Sequence, residues 1–62
     1  MPIINIDGPH ITDINVRREL VTELTAAAAK AYSLPKEKII VLIRENNPDQ
    51  VSVDGTLLAD RK

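Results

Sequence analysis

The chain is 62 residues long with a formal charge of −1, from eight basic and nine acidic side chains, which bounds it to one domain (1–62) and argues against a basic nucleic-acid-binding face. It has no cysteine and one histidine, so a disulfide and a thiolate metal site are excluded and a multi-histidine zinc centre within one chain is disfavoured. Hydrophobic residues still make up 44% of it, with Tyr32 the only aromatic; that is more aliphatic surface than so shallow a core absorbs, and assembly into a homo-oligomer is expected.

Residues 2–7 read as a short strand, because Ile3, Ile4 and Ile6 are β-branched; the density of apolar side chains predicts cover on both faces. Gly8-Pro9 punctuates it. Thr12 or Asp13 is placed to cap a helix over 13–32, in which Leu20, Val21, Leu24, Ala28 and Ala31 form one apolar stripe and Ala26 to Ala29 supply the strongest helix formers. Arg17, Arg18, Glu19 and Glu23 are read as lying largely off that stripe, the two arginines in solvent. Ser33-Leu34-Pro35 stops the helix, since a residue before proline avoids helical geometry. Residues 39–44 (IIVLIR) make a second strand, again expected to be covered on both faces, and a strand–helix–strand order implies parallel pairing. ENNPDQ is a loop in which Asn46 and Asn47 shape the turn; QVSV is a short strand; Asp54-Gly55 is a tight-turn pair. TLLADRK is a tail whose Leu57 and Leu58 form an apolar knob suited to packing on a neighbour. No apolar run reaches bilayer length and the first residues lack the character of a signal peptide, so a soluble cytoplasmic protein without membrane contact is expected.

Three positions invite a chemical reading. Methionine before a small residue such as proline is normally cleaved, and its removal would leave Pro2 with a secondary amine. Apolar surroundings or a nearby cation disfavour the ammonium form and bring such an amine into the range of an effective general base; the same nitrogen is also a nucleophile toward carbonyls. Arg44 closes the second strand on the side of Ile40 and Leu42, where a guanidinium can fork a substrate carboxylate or pair with Glu45, Asp49 or Asp54. His10, in the connector, is read as an exposed loop histidine. No glycine-rich phosphate loop and no metal-ligand spacing is present.

Taken in order, MPIINI, RRELVTELTAAAAKAY, SLPKEKIIVLIRENNPD and VSVDG make the whole chain resemble the 4-oxalocrotonate tautomerase family. The resemblance implies an α/β (α+β) fold, a β-α-β unit with parallel strands plus a short C-terminal β-hairpin, and a homohexamer built as a trimer of dimers with sites shared between adjacent subunits. It implies a cofactor-independent isomerase that ketonises 2-hydroxy-dienoate or 2-oxo unsaturated acids such as 2-hydroxymuconate, with the terminal proline moving the proton. Pro2 matches the family's catalytic residue. The family's helix-opening arginine falls at Thr12, its second-strand arginine at Ile40 and its pocket aromatic at Val51, so the three positions are apolar or uncharged here. Losing one charge-assisted contact costs about 1–3 kcal/mol of binding. Arg44 is the first candidate to supply the missing charge, followed by Arg17, Arg18 or Arg61 from a neighbour. These departures leave two other expectations: a related proline-based decarboxylase or hydratase of unsaturated acids, or a non-catalytic oligomeric binding protein on the same scaffold.

Overall fold

The computed structural model describes residues 1–61. Strand β1 (Ile3–Gly8) leads through a five-residue connector to helix α1 (Ile14–Tyr32), and a 3₁₀ turn (Lys36–Lys38) delivers the chain into β2 (Ile40–Glu45). A second 3₁₀ turn (Pro48–Gln50) precedes the small strands β3 (Ser52–Val53) and β4 (Thr56–Leu57), and a last 3₁₀ turn covers Leu58–Asp60.

Local chemistry explains these boundaries. Asp13 is the helix cap: its carboxylate accepts the Asn15 N–H at 2.8 Å, satisfying a donor that has no partner inside the helix. At the other end Ser33 turns left-handed (φ 55°), the Leu34 N–H reaches Ala29 O at 3.0 Å and the Ser33 N–H reaches Lys30 O at 3.3 Å, closing a Schellman motif ahead of Pro35. Both strands begin one residue later than the sequence suggests. Pro2 has no N–H to give to a ladder; it enters through its carbonyl, which accepts the Ile40 N–H at 3.1 Å. The hairpin β3–β4 turns on Asp54 and Gly55, both at positive φ (56° and 77°), the type I′ signature.

β1 and β2 pair in parallel from Ile3↔Ile40 to Gly8↔Glu45. Ile4, Ile6, Val41 and Ile43 are half-buried and point to the face covered by α1, whose half-buried residues are Arg17, Leu20, Val21, Leu24, Thr25, Ala28 and Ala29; Ala31 lies outside this stripe, on the exposed side. The opposite face carries Ile3 and Leu42, both about half exposed (49% and 50%). The expected cover on both faces is therefore absent within one protomer, because one helix can lie on only one side of a two-stranded sheet. No described residue is fully buried. The Cα radius of gyration is 14.8 Å, against about 10.5 Å for a compact domain of this length. The fold is a set of half-covered surfaces, and its core has to be completed from outside the chain. No described helix is long and apolar enough to cross a membrane.

Candidate functional site

Two concavities lie at opposite ends of the parallel pair. The first begins at the N-terminus. The bond between Pro2 O and Ile40 N–H fixes Pro2 beside the start of β2, and a groove of about 540 Å³ opens there, lined by Met1, Leu34, Pro35, Glu37, Lys38 and Ile40. Pro2 is half-buried, and Leu34, Pro35 and Ile40 give the groove an apolar wall. The second concavity, of about 260 Å³, is mainly apolar and lies where β1 ends; Gly8, Pro9, Pro48, Val51 and Leu58 line it together with Asp7 and Asn46. The Leu58 N–H donates to Val51 O at 2.8 Å and so ties the tail to the loop that carries Val51.

The five candidate residues divide between these ends. Pro2 and Ile40 are brought together; Val51 lines the far pocket, and Thr12 sits exposed in the connector, whose first residue, Pro9, lines that pocket. Arg44 is four register steps from Ile40, about 13 Å along the strand. Its guanidinium forks the Asp7 carboxylate, Nε–Oδ1 at 2.8 Å and Nη2–Oδ2 at 3.1 Å. This partner differs from the three acids read as possible. Glu45, the next residue along β2, faces the helix while Arg44 faces the open side, and the β1 register puts Asp7 directly opposite. Both side chains are more than half exposed, so the pair is worth only about 0–1 kcal/mol. Within one protomer, Pro2 cannot share a pocket with Thr12, Arg44 or Val51.

The residue that sequence reasoning missed is Glu45. Its carboxylate accepts the Ile11 N–H at 2.7 Å, Arg17 Nη2 at 2.7 and 2.9 Å, and lies 3.1 Å from His10 Nδ1. Arg17 Nη2 also donates to Ile11 O at 2.9 Å. Arg17 is thus half-buried rather than in solvent, and His10 is engaged rather than merely exposed. A signal was available: Arg17 stands three and four residues before Leu20 and Val21, which places it on the same helix stripe. The clamp holds the connector, and with it Thr12 and Pro9, against the end of β2.

The Ile11 N–H bond, then the His10 contact and the Arg17 charge, hold the Glu45 carboxyl below its ordinary value, against an opposing effect of desolvation. A depressed folded value means stability that is complete above the unfolded glutamate value of about 4.3 and is lost as the pH falls through the folded one. Glu45→Gln is therefore expected to lower Tm at pH 7, with the gap to wild type narrowing below about pH 4.3 as the wild-type carboxyl protonates. Thermal unfolding followed by circular dichroism at fixed protein concentration checks this; a gap unchanged across the acid range would count against the clamp.

Comparison with known proteins gives a consistent picture. A family model described as tautomerase enzyme matches residues 2–61. Among solved structures, the chain is similar to DmpI from Archaeoglobus fulgidus at 37% identity and a TM-score of 0.87, covering 95% of this chain and 100% of that one. It is similar to a heterohexameric 4-oxalocrotonate tautomerase from Chloroflexus aurantiacus J-10-fl at 27% identity and a TM-score of 0.88, with 100% of both chains covered. A third, YwhB, a homologue of 4-oxalocrotonate tautomerase, matches at 28% identity and a TM-score of 0.90 over 98% of this chain and 100% of its own. No curated protein matches the chain significantly.

Proposed function

The chain belongs to the 4-oxalocrotonate tautomerase family, and on that premise we propose that it ketonises a 2-hydroxy-dienoate or 2-oxo unsaturated acid, of which 2-hydroxymuconate is one example, through the amine of Pro2 after Met1 is removed. It is an enzyme of the isomerase class. The observation that carries the proposal is the seat of Pro2: its carbonyl is pinned to the first residue of β2, and the preceding residue lines an apolar-walled groove. Loss of Met1 puts a secondary amine at that lip. The neutral amine takes the proton from the 2-hydroxyl of the dienol, the electrons shift along the conjugated chain to form the 2-ketone, and the resulting ammonium returns a proton to a distant carbon. The books balance with no other reagent.

The division of candidate residues between two ends of the protomer supports a site shared between copies, in which Pro2 and Ile40 of one chain meet the Val51 pocket of another. A homohexamer arranged as a trimer of dimers is the assembly proposed. It also supplies cover for the sheet face that the helix leaves bare.

The uncharged Thr12, Ile40 and Val51 favour keeping one other chemistry in view, decarboxylation or hydration of an unsaturated acid by the same amine. Met-free protein, verified by intact mass, is to be assayed with 2-hydroxymuconate, phenylenolpyruvate and smaller enols, and the products identified by proton NMR. Ketone tautomers with all carbons retained and no water added are expected. Loss of carbon dioxide or a hydrated product would replace tautomerisation by the related chemistry, and inertness toward the whole panel would overturn the proposal.

A further inference from the structure

The groove beside Pro2 lacks an arginine but not a cation. Lys38 lines it, is exposed, and makes no ion pair among the described residues. Its backbone is set by the 3₁₀ turn: the Lys38 N–H donates to Pro35 O at 3.0 Å and the Ile39 N–H to Lys36 O at 3.0 Å. Two residues later the Ile40 N–H binds Pro2 O, so a short, hydrogen-bonded run of main chain ties the Lys38 backbone to that of Pro2. Within the protomer the arginines lie outside this groove, and Arg61 follows the turn at Leu58, a residue of the far pocket. Arg44 is forked by Asp7 and Arg17 by Glu45, while Arg18 leans on Asn15 Oδ1 at 3.2 Å along its own helix.

We propose that Lys38 is the carboxylate anchor of the Pro2 site and that it makes the site selective for monoanionic 2-hydroxy or 2-oxo acids with an apolar tail. This rests on the function proposed above and names its substrate class. One ammonium in the groove neutralises one carboxylate. The rest of the lining is apolar, save Glu37, whose negative charge opposes any anion and leaves Lys38 the one lining side chain of this protomer that attracts a carboxylate. Within this protomer's part of the site, the distal carboxylate of a dicarboxylate such as 2-hydroxymuconate meets only Leu34, Pro35 and Ile40, an expensive placement for a charge that the copy completing the site does not neutralise. An aromatic or aliphatic tail fits the same wall by losing water-exposed apolar surface.

The test compares wild type, Lys38→Met and Lys38→Arg, all Met-free, with phenylenolpyruvate, its methyl ester and 2-hydroxymuconate. Wild type is expected to show the higher kcat/KM with phenylenolpyruvate. Lys38→Met raises KM for that acid about ten- to a hundredfold, changes kcat less, and leaves the neutral ester unaffected; Lys38→Arg recovers most of the loss. Isothermal titration with phenylpyruvate gives a reading independent of turnover, with binding that weakens in salt and with Lys38→Met. If the enzyme turns substrate over but Lys38→Met leaves the KM for the acid unchanged, the anchor is refuted while the Pro2 mechanism stands. If no substrate turns over, phenylpyruvate binding decides: dependence on Lys38 upholds the anchor, and binding that ignores Lys38, or no binding, refutes it.

Discussion

Met-free protein carrying Pro2→Ala is expected to lose on the order of 10²–10⁴ in kcat/KM for enol ketonisation while its oligomeric state and circular dichroism stay those of wild type. The fold tolerates the change because Pro2 contributes to the sheet through its main-chain carbonyl, which alanine retains. What alanine does not retain is the ring. Pyrrolidine fixes the nitrogen relative to the strand and makes it a secondary amine, whereas the alanine nitrogen is primary and rotates about its bond to Cα. A companion sample that keeps Met1 sharpens the expectation. There the Pro2 nitrogen is an amide without a basic lone pair, and ketonisation should fall to the uncatalysed rate. Equal turnover with and without Met1 would remove the amine from the mechanism.

Leu42→Glu is expected to turn an oligomer into an unfolded or partly folded monomer at micromolar concentration. Leu42 sits on the bare sheet face with Ile3, and neither meets the helix. A carboxylate placed where another copy should cover that face costs several kcal/mol unless it finds a partner, and symmetry repeats the cost in every subunit. The protomer has little to fall back on, because no described residue in it is fully buried. Sedimentation velocity with circular dichroism reads both effects. A Leu42→Glu protein that sediments as the wild-type assembly would show that the bare face is not an interface. Glu at exposed Thr22, on the solvent side of α1, is the control and should change neither measurement.

Local structure was legible in the sequence wherever local chemistry decides it. The helix was read over 13–32 and runs Ile14–Tyr32, since its start needs only the Asp13 side chain and its stop only the Ser33-Leu34-Pro35 sequence. The parallel pair and the Asp54-Gly55 turn followed from strand–helix–strand order and from residues that tolerate positive φ. Where the reading departed from the structure, the missing information was long-range. The partner of Arg44 is Asp7 because of a register between strands separated by the whole helix. Glu45 acquires its partners from the connector and the first turns of α1, whereas the sequence offers it only as one of three acids that could pair with Arg44. The density of isoleucine predicts cover on both sheet faces, and within this chain only one face has it, because a single helix lies on a two-stranded sheet. The same limit applies to the site: the position of Pro2 in the sequence is enough to single it out, whereas the groove lined by Met1, Lys38 and Ile40 forms only when the 3₁₀ turn and β2 fold back on the N-terminus.

The central claim is that the Pro2 amine is the base. The most direct measurement is a nitrogen-15 NMR titration of Pro2 in Met-free protein, set beside the pH dependence of kcat/KM for the best substrate of the panel. The account predicts one shared apparent pKa, lowered by the apolar groove from that of a solvated prolyl amine, with activity rising as the amine loses its proton. An amine that titrates as it does in water, together with a rate that ignores its titration, would contradict it.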